Sequence, residues 1–200
     1  KVVFVAPVGT FPTIPTFPTV PMQHRYPAGF GTLARGPLDN FDVLSVAATN
    51  RFDARGGYSN YSVTEPAFGG YWVEIAAPGL EVTSTVPISV SPTGYAVEIT
   101  NPAAAPHVAG VAALLKGKGA NPELNHGQVK EILVAQTKRA FLSPPALATH
   151  CPTSPIPCDR TQPQYIGSGV IDATAAVNAR YDPRVLIGVD TSTPPDGTPV

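Results

Sequence analysis

The segment ITNPAAAPHVAGVAALL, from Ile99 to Leu115, has the form of a helix start that presents a reactive side chain. The first N–H groups of a helix have no partner within the helix, so they can stabilise an oxyanion beside a nucleophile. A nucleophile in acyl transfer must form a covalent intermediate, which requires a hydroxyl, a thiol or a similar group. The one hydroxyl of the segment, on Thr100, precedes the helix and is expected to point elsewhere, so we interpret the segment as a catalytic motif without its catalytic residue.

Other residues that could do chemistry are histidines and cysteines. His24, His126 and His150 fall in predicted loops or at a helix start, and none has a carboxylate or serine at a useful spacing. Cys151 and Cys158 enclose six residues of a proline-rich loop, which favours a disulfide and an oxidising, extracytoplasmic setting. Two free thiols are one alternative. A zinc site that includes His150 is another, although only three ligands are then in sight.

Composition indicates a globular protein. The 200 residues suffice for one domain with a core, because 43% of them are hydrophobic and 14% charged. A formal net charge of −1 gives no reason to expect a nucleic acid or an anionic membrane as partner. No apolar run approaches the roughly 20 residues of a membrane-spanning helix. Prolines cluster in extended loops and at the end of the chain, so we expect a domain over residues 1–181 and a proline-rich tail or linker over residues 182–200.

Strands alternate with turns in the first half of the chain. Apolar, β-branched runs predict buried strands over Val2–Ala6 and Asp42–Ala48. A buried strand rarely begins a chain, so residue 1 is expected to begin a mature fragment or a part of a longer protein. A further strand is predicted to end at the Pro78–Gly79 turn. The segments EVTSTVP and GYAVEIT then read as short strands or extended connectors.

Helices dominate the second half of the chain. The first is predicted over Pro102–Lys116, with apolar residues spaced to form one buried face: Val108, Val111, Ala112 and Leu115. The second covers NHGQVKEILVAQTKRA, with Asn125 as N-cap, Val129, Ile132 and Leu133 inward, and Lys138 and Arg139 in its last turn. The third covers Ile171–Ala179. Buried strands followed by helices indicate an α/β fold with a mostly parallel sheet.

Four segments in a fixed order carry a family resemblance. VVFVAPVGT, YPAGF with NFDVLSVAATN, GGYSNYS with VEIAAPGLEVTST, and AAAPHVAGVAALL resemble the C-terminal half of a subtilase, a subtilisin-like serine protease. NHGQVKEIL and GSGVIDATAAV are similar to the two closing helices of that family. The resemblance covers nearly all of Val2–Ala179 and implies a subtilisin-like sheet flanked by helices, of which this chain supplies only the C-terminal part. An upstream part of the same protein, or another chain, is therefore expected to complete the fold.

The resemblance also identifies what the site lacks. The family's nucleophile motif is Gly-Thr-Ser-x-Ala-Ala/Ser-Pro-His-Val-Ala-Gly, and alignment on Pro106–Gly110 places Pro102 at the serine position. Proline has no hydroxyl, and it lacks the N–H that would help to form the oxyanion hole. It is nevertheless favoured at the first position of a helix, where Asn101 can cap. His107 matches the family's structural histidine, whereas the catalytic aspartate and histidine of the family belong to upstream sequence.

The strand that opens the chain carries the other site positions. Thr10 takes the place of the asparagine whose amide donates to the oxyanion, and its shorter side chain is expected to fall short. Ala6, Pro7, Val8 and Gly9 match the segment that walls the pocket for the residue before the scissile bond. In that role Val8 would narrow the pocket and Pro7 would remove a backbone donor. A core strand end without a ligand is the alternative.

No cofactor is expected. YPAGF resembles a loop whose backbone carbonyls sometimes hold a cation in the family, but few carboxylates lie nearby, which leaves calcium as a minor alternative.

The sequence therefore supports one main function and two alternatives. In the main interpretation the chain is part of a degenerate, secreted subtilase that serves as a scaffold, a binding module for a peptide or protein, or a subunit of an extracellular assembly. In the second it is part of an active, secreted subtilisin-like endopeptidase, which would require a serine at position 102. An unrelated α/β binding protein is the third.

Overall fold

The computed structural model describes residues 2–9, 27–28, 43–51, 53, 59–61, 72–99, 101–117, 124–138 and 166–179. Cys151, Cys158 and the expected tail over residues 182–200 lie outside these residues, so the disulfide and the domain boundary stay predictions. The same holds for all of YPAGF except Pro27 and Ala28.

A five-stranded sheet forms the centre of the described structure. Its strands are β1 (Phe4–Pro7), β2 (Val43–Thr49), β3 (Ile75–Pro78), β6 (Thr137–Lys138) and β7 (Val170–Ile171). They lie in the order β1-β2-β3-β7-β6, in which β1, β2, β3 and β7 run parallel and β6 pairs antiparallel with β7. Every residue of β2 is buried, as expected for a strand with neighbours on both edges and apolar layers on both faces.

A two-stranded antiparallel hairpin leads from the sheet to the helices. It consists of β4 (Leu80–Thr85) and β5 (Tyr95–Ile99), which confirms both short strands. A 3-10 turn over Asn101–Ala103 follows β5 and continues directly into α1, Ala104–Gly117. Helical structure thus begins within two residues of Pro102, as predicted.

Three helices contribute to one apolar cluster on the sheet. They are α1, α2 (His126–Ala135) and α3 (Ala173–Asn178), and they pack with the β2 side chains Leu44, Val46 and Ala48. The predicted inward residues are buried: Val108, Val111, Ala112 and Leu115 on α1, and Val129, Ile132 and Leu133 on α2. The opposite face of the sheet is covered by a second cluster that includes Tyr61, Trp72 and Ile166. The mostly parallel α/β sheet flanked by helices is therefore confirmed.

The predicted ends of several elements were wrong. β1 is Phe4–Pro7 instead of Val2–Ala6, because its first partner residue, Val43, lies opposite Phe4. Lys138 is not in the last turn of α2, because the helix ends at Ala135 and the chain then pairs with β7. The same pairing places Ile171 in a strand, so α3 starts at Ala173.

The N-terminus of α2 agrees with the prediction in detail. The backbone N–H of Gln128 donates to Asn125 Oδ1 at 3.0 Å, and the Asn125 N–H donates to Gln128 Oε1 at 2.9 Å. This reciprocal pair is a capping box, which satisfies two N–H groups that the helix itself leaves without partners.

Candidate functional site

The helix start contacts the strand ends at the carboxyl edge of the sheet. The 3-10 turn contacts β1 and β2, and α1 contacts β1, β2 and β3. Gly79 marks the edge where these elements meet, because a Cβ built on it would lie 2.6 Å from Ala48 Cβ and 3.1 Å from Ala104 Cβ. The structure therefore brings the segment with Pro102 next to the strand that carries Ala6 and Pro7.

Pro102 lies on the outside of this junction. Its side chain is exposed, whereas the next helical residues, Ala104 and Ala105, are buried against the sheet. A hydroxyl at this position would be accessible to a substrate, and proline supplies none. Thr10 and Thr100 lie outside the described residues, so their predicted roles stay predictions.

The end of β1 continues into a bend that Asn60 holds. Val8 N–H donates to Val46 O at 2.9 Å, as in a continuing parallel strand. The next two carbonyls turn toward Asn60, whose side-chain Nδ2 donates to Val8 O at 2.8 Å and whose backbone N–H donates to Gly9 O at 3.1 Å. Gly9 has φ of 86°, a left-handed conformation that favours glycine.

The predicted pocket wall is partly a core element. Ala6 and Val8 are buried in the cluster that covers the second face of the sheet, and Val8 is fully inaccessible. Pro7 and Gly9 are half-buried. Within the described residues, then, Val8 fills the core, and the accessible part of the Ala6–Gly9 segment consists of Pro7 and Gly9.

His107 has a local partner on its own helix. Its Nδ1 donates to the Ala103 carbonyl at 2.9 Å, and the side chain is exposed. The bond joins the 3-10 turn to the first turn of α1. This contact agrees with a structural role for His107.

A charged cluster at the opposite, amino edge of the strands was not predicted. Glu74, which precedes β3, pairs with Lys130 of α2 at 2.7 Å between Oε1 and Nζ. Glu74 Oε2 also accepts from the Ser45 N–H at 3.0 Å, and the Ser45 hydroxyl donates to the Trp72 carbonyl. Burial raises the pKa of the Glu74 carboxyl above its ordinary value of 4.5, against the opposing effects of Lys130 and Ser45. The cluster joins α2 to the sheet, away from the helix start.

An apolar groove lies on the outer side of α1. It has a volume of about 770 Å³ and is lined by Gly110, Ala113, Leu114, Gly117 and Val177. Leu114, on this outer side, is 61% exposed, and the side of α1 that faces the sheet is apolar as well. A helix that is apolar all round is normally covered on all sides.

Asn60 and the Glu74–Lys130 pair are the residues that sequence reasoning missed. Asn60 stands in YSNYS, where tyrosines on both sides of a polar pair indicate a buried segment whose polar groups need partners. No local signal joins Glu74 to Lys130, because they lie on separate elements.

The part of the chain that the structure describes contains no group of three or more His, Cys, Asp or Glu residues that could hold a metal ion. No helix in it is both long enough and apolar enough to cross a membrane.

Comparison with known proteins identifies one family. A sequence profile of the Subtilase family matches residues 4–157. The chain is similar to an "Extracellular basic protease" of Dichelobacter nodosus, with 32% identity over 143 residues that cover 69% of this chain and 19% of that protein. It is also similar to an "Extracellular protease" of Xanthomonas campestris pv. campestris, with 30% identity over 168 residues that cover 82% of this chain and 24% of that protein.

The chain thus spans between about a fifth and a quarter of the length of these two relatives. Among solved structures it is similar to MycP1 from Mycobacterium smegmatis, with a TM-score of 0.53 and 21% identity over 90% of this chain and 42% of that one. At this level of identity the similarity shows the fold alone.

Proposed function

The chain belongs to the subtilase family, and from this premise we propose that it is a catalytically silent part of a secreted subtilase domain that binds polypeptide without cleaving it. The observation that carries the proposal is Pro102 at the exposed start of the helical segment. The proposal of secretion rests on relatives that are described as extracellular.

Chemistry at the helix start explains why proline excludes catalysis. An acyl-enzyme needs a nucleophile, and removal of that serine costs on the order of 10⁶ in turnover, a figure for which subtilisin, a member of this family, is itself the measured case. Proline also removes one backbone N–H from the oxyanion hole. Thr10 in place of an asparagine would cost a further ~10²-fold to 10³-fold on its own, again as measured in subtilisin. Because catalytic residues act as a unit, these losses do not simply multiply.

Polypeptide binding needs fewer groups than cleavage does. Pro7 and Gly9 are half-buried, β1 contacts the helix start, and the bend at Val8 and Gly9 carries no charged side chain. Pro7 has no N–H and the Val8 N–H is bonded to Val46 O, so an extended peptide could bind this strand end only through carbonyl oxygens, each of which has two lone pairs, and through one side-chain contact. Neither requires a hydroxyl at position 102.

A further part of the same protein is the expected partner of the α1 groove. Leu114 on α1 is 61% exposed, and Phe4 on β1 is 62% exposed. Each Å² of apolar surface that a covering segment removes from water would stabilise the folded protein by roughly 25 cal/mol. We expect the upstream region to supply this cover, since the relatives are much longer than the matched part.

Paired variants test this cover. In the full-length protein, Leu114→Arg should lower the melting temperature by several degrees, because it forces a charge into a covered apolar interface. In the isolated 200-residue chain the same change should leave the melting temperature within about a degree, since the side chain is then exposed. Ala135→Arg, at an exposed position of α2, is the control and should have no effect in either form. Equal effects of Leu114→Arg in both forms would contradict the proposal.

A fluorophosphonate probe tests the lack of activity. The chain and the full-length protein should show neither serine labelling nor peptide turnover. Pro102→Ser together with Thr10→Asn should still give nothing in the 200-residue chain, because the family's acid–base pair belongs to upstream sequence. Labelling of the unmodified protein that a competing serine-protease inhibitor prevents would overturn the proposal.

An active endopeptidase is the second candidate, favoured by the intact helix start and by relatives that are proteases. Mass-spectrometric sequencing of the peptide over residues 99–117 of the natural protein separates the two. Serine at position 102 would establish the second candidate, and proline would exclude it.

A further inference from the structure

Asn60 occupies a special place in the candidate site. It is fully buried, yet it lies in a connection between strands and not in the sheet itself. Its two donors reach consecutive carbonyls, Val8 O at 2.8 Å and Gly9 O at 3.1 Å. The neighbouring Ser59 hydroxyl accepts from the Ala48 N–H at 3.0 Å, so the segment Ser59–Asn60 is hydrogen-bonded both to β2 and to the chain that follows β1.

The two carbonyls converge because the strand bends. Consecutive carbonyls of an extended strand point to opposite sides, so one residue cannot bind both unless the backbone turns. Gly9 makes that turn with φ of 86°. The position of the bend is therefore determined jointly by Gly9 and by the donors of Asn60.

Asn60 is also only partly satisfied. Its Oδ1 has no hydrogen-bond partner among the described residues, although the atom is buried. A buried acceptor without a partner opposes folding, so the residue is not optimised for stability alone. The two N–H donors of Asn60 hold the backbone of the candidate pocket wall at Val8 and Gly9.

We propose that Asn60 is the positioning residue of the peptide-binding wall: it fixes the bend at Val8 and Gly9 and so determines which side chain the wall accepts. This inference rests on the proposed function, since it requires that the Ala6–Gly9 segment bind polypeptide. Asn60 itself need not touch the ligand, and it acts through the two carbonyls.

The test uses two variants that perturb the bend from opposite sides. Asn60→Ala removes the side-chain donor to Val8, and Gly9→Ala places a Cβ at a positive φ that alanine adopts poorly. Val129→Ala, on α2 in the other apolar cluster, is a matched destabilised control. All are made in the full-length protein and measured at a temperature where each is folded.

The probes are fluorescein-labelled hexapeptides of glycine and alanine in which one central position is Ala, Leu, Phe or Lys. Fluorescence anisotropy gives the ratio of dissociation constants between the best and worst peptide. Loss of one neutral hydrogen bond corresponds to about a threefold to tenfold change, so Asn60→Ala should change this ratio by up to about that factor. Gly9→Ala strains the same bend and should change the ratio in the same direction. Val129→Ala should leave it unchanged, because lower stability alone moves no selectivity in folded protein.

Hydrogen exchange of the backbone over Ala6–Gly9 provides a second measurement that needs no ligand. Exchange should accelerate in Asn60→Ala and Gly9→Ala, beyond the acceleration in Val129→Ala. Unchanged exchange in both bend variants would show that Asn60 does not hold the segment. Faster exchange with unaltered peptide selectivity would overturn the positioning role while the proposed function stands. Failure of the unmodified protein to bind any probe, with faster exchange in the variants, would instead overturn the proposed function and this role with it.

Discussion

Gly79 is the position where a single methyl group should reveal how tightly the helix start is packed. It follows β3, donates its N–H to Thr49 O at 2.9 Å, and lies between β2 and α1. In Gly79→Ala the new Cβ would be 2.6 Å from Ala48 Cβ, about 1 Å inside ordinary carbon contact. Either β2 must shift, or residue 79 must move toward Ala104, the first residue of α1, whose Cβ would already be 3.1 Å from the new methyl group.

The cost can be worked out from two opposing terms. Overpacking of this kind costs about 1–3 kcal/mol. Replacing glycine by alanine also restricts the unfolded chain, which returns about 0.4–1 kcal/mol. The net loss should lie between about 0 and 2.6 kcal/mol and be centred on about 1.3 kcal/mol, or roughly 3–5 °C in melting temperature for a chain of this size.

A compensating variant makes the test specific. Ala48→Gly removes the methyl that the new Cβ meets, but alone it costs about 1–2 kcal/mol, because a buried methyl is lost and a strand residue becomes glycine. In the double variant the clash with Ala48 is absent and only the tight contact with Ala104 at 3.1 Å remains, so the double variant should lose at least about 0.5 kcal/mol less than the sum of the two single losses. Urea unfolding of the four proteins gives this coupling. Additive losses would refute the close approach of Gly79 to Ala48 in β2.

Other predictions concern the rest of the fold. Burial raises the native pKa of the Glu74 carboxyl, so its contribution to the free energy of unfolding is fully present below the ordinary pKa of 4.5 and is lost as the pH rises through the raised value. Glu74→Gln lacks this dependence, so its stability relative to the unmodified chain should increase between acidic pH and neutrality. Parallel pH profiles of the two proteins in chemical unfolding would contradict this. Asn125→Ala should cost about 1 kcal/mol through the lost capping box, whereas Asn125→Ser should lose little, both read from melting temperature. Cys151 and Cys158 should resist alkylation until reduced, and labelling without reductant that a zinc chelator does not alter would favour free thiols.

Local sequence predicted those parts of the fold whose cause is local. The apolar spacing of Val108, Val111 and Leu115 identified the buried face of α1, since it needs only the period of a helix. Asn125 was identified as a cap from its own chemistry. The end of α2 was not, because Thr137 leaves the helix to pair with Ile171 in β7, and such a distant partner leaves no trace near residue 137.

The candidate site divides in the same way. Pro102 and the Ala6–Gly9 segment were located by resemblance, and the structure places their elements in contact. Asn60 lies within GGYSNYS, but the sequence predicts no role for it, because its partner Val8 is 52 positions away. Hydrogen bonds across such a distance follow from topology, and one sequence does not reveal which strand end a polar side chain will reach.

The contacts that shape this site are independent of the group that would react in it. The helix start is held by Gly79 against Ala104, and the strand end by Asn60 against Val8 and Gly9. Neither contact involves position 102, where proline is compatible with a helix start because its fixed φ and missing N–H cost nothing there. Selection on the fold alone can therefore keep this geometry, whichever residue stands at position 102. For that reason membership of a protease family does not by itself establish the activity of this chain, which depends also on the residue at position 102 and on the family's acid–base pair.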